Sequence, residues 1–387
     1  MVKLYLDMEN VSSVPEAYRH GAGAIMNFSG INLGNFAFRH ALQYIVGDFK
    51  DYVPVNYTQY LEQAVPGKVE RVLVSCANWL GATDDDEKNN AFRTMAIEKT
   101  DAKVDCFGLG VQAKSGTKVA QLRPNTIRMA KVLAERATHL SVRDETTQNT
   151  LEAVGITNTT ITGCPSNFIN GDRDLGARVA GRARDMLDAA QTWKDVRSLI
   201  SEASGGHAAS NNVIRSHLRL MEISPAFYAV QTPALLPFLF RESETIPDAY
   251  VANSPFAGNA VRLRTVLKAK LLHFSSIEGW MDFARTCDLS YGMRIHGTMI
   301  PLQSGVPSLL IAHDSRTVGL ARFMGIPALT PEDFMVSQRS GPRGIFSHIV
   351  DSMAGYDAHR AGVARVMYDY VTGNGLRPHP SLAGLVT

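Results

Sequence analysis

Cysteine is scarce in this sequence of 387 residues, and no part of it is apolar over a long distance. The four cysteines, Cys76, Cys106, Cys164 and Cys287, lie far apart without a CxxC pair. This spacing favours reduced, buried thiols over a zinc knuckle or a disulfide framework. No run approaches the roughly twenty apolar residues that span a bilayer, and the start of the chain lacks the apolar core of a secretory signal. We therefore expect a cytoplasmic protein.

The sequence also lacks an excess of either charge. It has 39 Lys and Arg against 37 Asp and Glu, which gives a formal charge of +2. Nucleic-acid binding that depends on counterion release needs a much denser basic surface, so we expect no nucleic-acid partner and only local affinity for anions. A hydrophobic fraction of 45% allows large buried cores, and the length fits two domains, which we place at residues 1–175 and 176–387.

Short apolar runs alternate with longer amphipathic stretches along the whole chain. This alternation is typical of βα units around a parallel sheet and predicts the α/β class. The predicted strands are 24–28, 69–75, 104–107, 139–142, 160–162, 227–231, 271–274 and 308–312. The predicted helices are 36–45, 90–99, 127–136, 146–154, 175–190 and 318–324, together with one that begins near the capping-box sequence 275–278 and buries Trp280, Met281 and Ala284. Residues 204–212 have the composition of a loop.

The segment from Asp288 to Pro301 contains the main candidate functional residues. Residues 288–291 end a predicted strand, Gly292 allows a turn, and Thr298 is expected to cap the next helix, with Pro301 in its first turn. Arg294 and His296 then lie on a strand-to-helix turn, where α/β proteins bind anions. Arg supplies a bidentate fork for phosphate or carboxylate, and His transfers protons near neutral pH. The alternative is a surface pair or a partner of a nearby carbonyl.

The run from Asp288 to Arg316, with Arg-x-His after a strand and Gly-Val-Pro before the next one, resembles the polysaccharide pyruvyl transferase family. The similarity continues through 318–327 and appears earlier at 141–155 and 162–166, and more weakly at 108–112 and 32–35. These matches follow the family's order. Arg316 stands where the family often has Lys, and residues 167–226 match no motif, which makes them a candidate region for acceptor recognition.

The resemblance implies two Rossmann-like domains that face a cleft, as in GT-B-type glycosyltransferases. It also implies transfer of pyruvate from phosphoenolpyruvate onto a sugar as a ketal, with release of phosphate. The donor has a carboxylate and a phosphate, so we expect cationic anchors on both sides of the cleft. Arg294 is the first candidate. Arg143 is the second, unless it only pairs with Asp144, which is placed to cap a helix. Arg316, near Asp314, is the third, unless it is an exposed loop charge.

Ketal formation needs a group that donates and accepts protons. His296 is the main candidate, and His313, which Asp314 could orient, is the alternative. The loop 29–35 could present backbone amides to a ligand, or its glycines could serve only close packing. We include Gly34 and Asn35 of this loop, and Gln112 of the weaker match, as substrate-binding candidates.

Two other functions stay open at this stage. The same architecture suits a sugar-nucleotide glycosyltransferase, for which Asp84, Asp85 and Asp86 offer a DxD-like pair, although such a charge run is usually a solvated loop. A non-catalytic carbohydrate-binding protein is the other. The sequence has no cluster of His or Cys at metal-ligand spacing, so we expect no metal and no cofactor besides the donor. The expected acceptor is a glycan or a lipid-linked saccharide, which would permit peripheral membrane association.

Overall fold

The computed structural model describes residues 1–8, 10–63, 67–112, 117–203 and 208–387. These residues form an α/β protein whose named strands all pair in parallel. The strands are β1 (Val2–Asp7), β2 (Tyr52–Asn56), β3 (Val69–Ser75), β4 (Lys103–Phe107), β5 (Leu140–Val142), β6 (Thr159–Ile161), β7 (Ser198–Ser201), β8 (Ala226–Ala229), β9 (Leu271–Leu272), β10 (Leu289–Gly292), β11 (Ser308–Ile311) and β12 (Ala328–Leu329).

The α-helices surround these strands. In the first half they are α1 (Ala22–Ser29), α2 (Asn35–Ala41), α3 (Tyr57–Glu62), α4 (Asp84–Glu98), α5 (Pro124–Arg136), α6 (Glu145–Glu152) and α7 (Leu175–Ala189). In the second half they are α8 (Ala208–Ile223), α9 (Leu236–Leu239), α10 (Asp248–Ala252), α11 (Ala260–Lys270), α12 (Ile277–Arg285), α13 (Ile295–Gln303), α14 (Ser315–Met324), α15 (Pro331–Arg339), α16 (Pro342–Met353), α17 (Tyr356–Gly373) and α18 (Pro380–Val386).

The strands form two separate parallel systems. The first has the order β2-β1-β3-β4, and a parallel bridge from Leu109 to Val142 continues it to the pair β5-β6. The second has the order β9-β8-β7-β10-β11-β12, which is the strand order of the Rossmann fold. The predicted pair of Rossmann-like units is therefore confirmed. In such sheets ligands bind beyond the carboxyl ends of the strands, where the strand order reverses. In the second sheet that point lies between β7 and β10.

The end of the chain returns to the first sheet. One face of this sheet packs Leu4 and Val72 against α4 and α5, and the opposite face packs Tyr5, Leu73 and Phe107 against helix α17. The alternation of these residues follows from the two-residue period of a strand. The division at residues 175 and 176 stays a prediction, but α17 and α18 add residues 356–386 to the core of the first half.

Two predictions in the first half are wrong, namely the strand at 24–28 and the polar loop at the acidic run 84–87. Residues 24–28, predicted as a strand, lie in helix α1, whose buried residues Ala22, Ile25, Met26 and Ser29 follow a helical spacing. A short apolar run does not distinguish a buried strand from a buried helix. Strands β1 and β2, which the sequence did not single out, complete the sheet instead.

The acidic run 84–87 begins a helix and is not a solvated loop. Thr83 caps α4 in a reciprocal capping box with Asp86, and Asp84 pairs with Arg123 at 2.7 Å. Glu87 is buried and accepts hydrogen bonds from the backbone of Asn125 and Thr126. Acidic residues stabilise the positive end of the helix dipole in this position, so the run has a structural explanation.

Other local predictions are largely confirmed. The strands at 69–75, 104–107, 139–142, 160–162, 227–231, 271–274 and 308–312 agree with the observed ones within one to two residues. Ser276 caps α12, which buries Trp280 and Ala284 and leaves Met281 half-buried. Residues 208–212 of the predicted loop belong to α8, whereas 204–207 lie outside the described residues. All four cysteines are free and buried. Among the described residues, none of the helices combines the length and the apolar character that a membrane crossing requires.

Candidate active site

The Arg294-x-His296 turn lies at the carboxyl end of β10, at the reversal of strand order in the second sheet. Gly292 has a φ of 153°, and a Cβ atom there would lie 2.2 Å from the Oγ atom of Ser201 at the end of β7. Only glycine lets the two strand ends approach this closely. The turn then leads directly into α13, and Arg294 occupies the residue before its first turn.

Helix α13 begins four residues earlier than predicted, since its cap is Arg294 and not Thr298. Thr298 is not its cap, because Ile295 already starts the helix, and Pro301 lies in the helix interior and not in the first turn. Proline there leaves the carbonyl of Gly297 without its helical N–H partner. The hydroxyl of Ser290 approaches that carbonyl oxygen to 3.5 Å. His296 consequently lies in the first turn of the helix, where its position is fixed by the helix backbone.

His296 projects into the boundary between the two halves. Its side chain is buried with 6% exposed, and its ring centroid lies 5.5 Å from that of Phe38 on α2. The Nε2 atom lies 3.5 Å from the Sγ atom of Cys164. A Cβ atom on Gly34 would lie 3.0 Å from the Cβ atom of His296, so glycine is needed for this contact. The second half thus supplies the imidazole and the first half supplies its surroundings.

Arg143 approaches the same place from the first half. It follows β5, is only 2% exposed, and its guanidinium lies 5.7 Å from the centre of the Phe38 ring. Its Nη1 atom donates to Oδ1 of Asn78 at 3.0 Å, whereas Nε and Nη2 have no hydrogen-bond partner among the described residues. Asp144 does not pair with it but caps α6 by accepting from the backbone of Thr147 at 2.7 Å. Arg143 therefore has unused donors in a buried position.

Arg316 and Arg294 complete a cationic cluster. Arg316 lies in the first turn of α14 and pairs with Asp314 at 3.4 Å, and its side chain is 19% exposed, which does not fit an exposed loop charge. The Nε atoms of Arg294 and Arg316 are both buried without a partner among the described residues. Burial lowers the pKa of Arg316, and the charges of Arg143 and Arg294 lower it further, so the three guanidinium groups lie close enough to interact. We call Arg143, Arg294, Arg316 and His296 the cationic cluster.

The electrostatic field of this cluster acts on His296. Burial holds the pKa of His296 well below its usual value, and the charges of Arg143, Arg316 and Arg39 lower it further. His296 is therefore neutral at neutral pH in this environment. An anion bound among the guanidinium groups would oppose this field and raise the pKa of the imidazole.

His313 and Asp314 lie at the edge of the cluster. The Nε2 atom of His313 lies 3.9 Å from Oδ2 of Asp314, and burial lowers the pKa of His313 while Asp314 opposes that effect. Asp314 also caps α14 by accepting from the backbone of Thr317 at 2.7 Å. Its capping bond and its pairing with Arg316 involve both carboxylate oxygens.

The three remaining candidates differ in position. The backbone N–H of Gly34 donates to Oδ1 of Asn32, and the side-chain amide of Asn35 donates to the carbonyls of Ser29 and Gly30. Both groups are satisfied inside the loop, so the geometry supports the close-packing alternative over amides that face a ligand. Gln112 is exposed, and no described member of the cationic cluster hydrogen bonds to it. Two glycines before it, 108 and 110, leave room for the Arg143 side chain.

Several residues at the site were not predicted. Gln231 is fully buried, and neither atom of its amide has a partner among the described residues. Its Oε1 lies 3.0 Å from where a Cβ atom of Gly34 would be, and its Nε2 lies 2.6 Å from the corresponding point on Gly297. Its place at the end of a predicted strand was a usable signal. No sequence signal pointed to Cys164 or Arg39, because their proximity to His296 depends on tertiary contacts.

A family model for polysaccharide pyruvyl transferase matches residues 32–315, which is well over half of the sequence. The chain belongs to the polysaccharide pyruvyl transferase family. The matched range contains Arg143, Arg294 and His296 and ends one residue before Arg316. It also contains the segment 167–226, which includes helices α7 and α8 and strand β7.

Two solved structures of low sequence identity align with nearly the whole length of this chain. One is Anabaena Alr3699/HepE in complex with UDP, at 12% identity and a TM-score of 0.41 over 97% of this chain and 98% of that one. Another is a protein proposed to be a UDP-N-acetylglucosamine 2-epimerase from Listeria monocytogenes, at 10% identity and a TM-score of 0.42 over 99% and 94%. A search of curated proteins finds no significant match. Among the described residues, no group of three His, Cys, Asp or Glu side chains could hold a metal ion.

Proposed function

We propose that this protein transfers the pyruvyl group of phosphoenolpyruvate onto two hydroxyl groups of a glycan, forming a ketal and releasing phosphate. The observation that carries the proposal is the set of buried guanidinium donors without partners on Arg143, Arg294 and Arg316. Buried polar groups are normally satisfied, so the unused N–H donors on several arginines support a binding site for an anion here. Phosphoenolpyruvate supplies a carboxylate and a phosphate on one small molecule.

The donor has two anionic groups, so cationic residues from both halves can bind it at the same time. Arg143 comes from the first half, and Arg294 and Arg316 come from the second. A guanidinium binds carboxylate or phosphate through two parallel hydrogen bonds, which fixes the orientation of the bound group. We assign these three residues to donor binding. We make no assignment of Gly34, Asn35 or Gln112 to the donor, and His313 and Asp314 support Arg316 and the start of α14.

His296 is assigned as the acid–base group. Burial and the charges of the arginines keep its imidazole neutral, and donor binding would offset the field of the arginines and raise its pKa. The imidazole would then hold a proton only when the donor is present. This coupling would protect phosphoenolpyruvate from encountering an acid before it is correctly bound.

The proton balance of the reaction is simple. Protonated His296 delivers a proton to the methylene carbon, which becomes a methyl group, and C2 becomes electrophilic. An acceptor hydroxyl attacks C2 and gives its proton to the neutral imidazole. Phosphate then leaves with the C–O electron pair, and the second hydroxyl attacks the same carbon. Of the two protons lost by the acceptor hydroxyls, one replaces the proton that went to the methyl group and the other leaves with phosphate. No metal or additional cofactor is assigned a step.

The test is phosphate release from phosphoenolpyruvate in the presence of candidate glycans. We expect Arg294→Ala and Arg143→Ala to raise the KM for phosphoenolpyruvate on the order of 100-fold, which corresponds to loss of a buried charge-assisted pair worth about 3 kcal/mol. His296→Ala should lower kcat by about 100-fold or more. Arg128→Ala, which removes a surface arginine paired with Glu98, is the matched control and should behave as wild type.

A binding measurement separates this function from the glycosyltransferase alternative. Phosphoenolpyruvate should raise the melting temperature of the wild type, and uridine diphosphate should not. The reverse result, or full phosphate release by His296→Ala, would contradict the proposed function.

A further inference from the structure

A groove of about 490 Å³ lies in the first half of the protein. It is bounded by the carboxyl ends of β1 and β2 and by the last turns of α1. Its lining includes Met8, Asn10, Asn27, Phe28, Asn56 and Gln59. Among the described residues that line it, none carries a charge. The groove therefore differs sharply from the cationic cluster in the kind of ligand that it can hold.

The amide side chains of the groove are available to a ligand. Those of Asn10, Asn27 and Gln59 make no hydrogen bond to a described residue, and Asn27 is exposed. Asn56 uses Oδ1 to cap α3 by accepting from the backbone of Thr58 at 2.8 Å. Its Nδ2 atom has only a weak contact with the Met8 sulfur at 3.8 Å. The amides of Asn10, Asn27 and Gln59 offer donors and an acceptor, and Asn56 offers its Nδ2 donors, which suits the hydroxyl groups of a sugar.

The apolar part of the groove also suits a sugar. Phe28 and Met8 are half-buried and present apolar surface between the amides. A pyranose ring has hydroxyl groups at its edge and C–H groups on its faces, so a surface of this composition contacts both. A phosphorylated or carboxylated ligand would find no opposing charge on the described lining residues.

Arg39 connects the groove to the cationic cluster. Helix α1 ends at Ser29, next to Phe28, and the carbonyl of Ser29 accepts from Nη1 of Arg39 at 3.3 Å. Arg39 also binds Asp7 at 2.8 Å, and Asp7 ends β1 directly before Met8. The charge of Arg39 is one of those that lower the pKa of His296. Ser29, Asp7 and Arg39 thus link the residues of the groove to the surroundings of His296.

We infer that this groove binds the acceptor of the transfer, and that the part of the acceptor bound there is an uncharged saccharide. The inference rests on the proposed function, because a pyruvyl transferase must hold a sugar next to its donor. It places the acceptor outside residues 167–226, the region that the sequence suggested. Those residues instead contribute strand β7 and helices α7 and α8.

The experiment measures saccharide binding separately from donor binding. Saturation-transfer NMR is recorded on the full chain with neutral disaccharides (lactose, cellobiose, maltose and N,N′-diacetylchitobiose) and with anionic digalacturonate. The variants are Asn27→Ala combined with Gln59→Ala, and Asn27→Trp, which fills the groove from an exposed position. Gln191→Ala, an exposed amide in the second half, is the matched control. The thermal shift produced by phosphoenolpyruvate reports whether each variant keeps its fold and its donor site.

We expect at least one neutral disaccharide to bind the wild type and the control, and at least tenfold weaker binding to both groove variants with an unchanged thermal shift. Wild-type affinity in both variants would overturn the inference and leave the proposed function intact. Absence of any bound neutral disaccharide, or equal binding of digalacturonate, would also overturn it. If phosphoenolpyruvate does not raise the melting temperature of the wild type although a saccharide binds, the proposed function is overturned. The acceptor role of the groove is then overturned with it.

Discussion

The imidazole of His296 and the thiol of Cys164 lie 3.5 Å apart, although 132 positions separate them in the sequence. The hydroxyl of Ser166 donates to the same sulfur atom at 3.1 Å. These contacts join the first turn of α13 in the second half to the short turn after β6 in the first half. The thiol is therefore placed to orient the imidazole, and it reaches His296 from the side of the cleft that holds Arg143.

We expect Cys164→Ser to lower kcat about tenfold, because the shorter C–O bond draws the hydroxyl away from the imidazole and a hydrogen bond worth about 1.4 kcal/mol is weakened. The KM for phosphoenolpyruvate should change little. A positioning role also predicts a displaced pH profile of phosphate release, which a purely structural role would leave in place. Cys287→Ser, at another buried cysteine, is the control. An unchanged pH profile and kcat in Cys164→Ser would exclude the positioning role.

The charge of Arg143 should be measurable through His296. Burial lowers the pKa of His296 most, and Arg143 lowers it further, so Arg143→Met should raise that pKa toward the ordinary value while keeping the apolar contact with Phe38. Titration of the His296 ring signals by NMR measures the change. Arg143→Lys keeps the charge, so we expect it to leave the pKa close to that of wild type but to weaken donor binding. Equal pKa values in wild type and Arg143→Met would refute the interaction.

The sequence predicted the strands of both halves incompletely, because it missed β1 and β2 in the first half and β7 and β12 in the second. Apolar runs such as 308–312 stand between clear turn signals and correspond to β11, whereas the run at 24–28 belongs to a helix whose period is visible only when Ala22 and Ser29 are included. Strand β2 was not predicted because Val53 and Pro54 are exposed at the sheet edge and give no apolar run. Position in the sheet does not separate the predicted strands from the missed ones, because the internal strands β1 and β7 were missed and the edge strand β9 was predicted.

The candidate site shows the same division between local and tertiary information. Arg143 and Arg294 follow predicted strands, so their meeting at carboxyl ends could be anticipated from the pattern. The contact of Gly34 with His296 could not, because it depends on how α2 packs against α13. The unsatisfied amide of Gln231 could be detected only once both halves were in place. The motifs predicted which reactive side chains form the cluster. The contacts around those side chains depend on tertiary packing and could not be predicted.

His217 should make the protein sensitive to acid. Its ring is 1% exposed among Tyr228, Tyr291 and Phe334, both nitrogens lack a partner among the described residues, and burial lowers its pKa to about 3. At pH above 6.5 it is neutral in both the folded and the unfolded state. Below that pH only the unfolded state gains the proton, so folding stability falls between pH 6.5 and 3 by about 1.4 kcal/mol per pH unit.

His217→Phe removes this proton uptake. The variant should gain stability relative to wild type as the pH falls, by about 2 kcal/mol between pH 7.5 and 5. Chemical denaturation at a series of pH values measures the difference, and His139→Phe, at an exposed histidine, is the control. Parallel pH dependences of stability for wild type and His217→Phe would show that another group causes the acid sensitivity.

Helix α17 should be required for the first half to fold. Tyr370 is 3% exposed, its ring packs edge-on against Phe107 at 5.4 Å, and its hydroxyl donates to the carbonyl of Cys106. Arg71 of β3 pairs with the buried Asp105 at 2.6 Å and donates to the carbonyls of Asn374 and Gly375 just beyond the helix. The outer face of the first sheet is thus covered by residues that come last in the chain.

We expect Tyr370→Ala to lower the free energy of unfolding by about 3–5 kcal/mol, since it leaves a cavity against the sheet, and Tyr370→Phe to lower it by about 1 kcal/mol through loss of the hydrogen bond alone. Asp369→Ala, one residue earlier and exposed, is the control. A fragment of residues 1–175 should show no cooperative unfolding, because Tyr5, Leu73 and Phe107 would be left open to water. A cooperative transition in that fragment would show that the first half does not depend on α17.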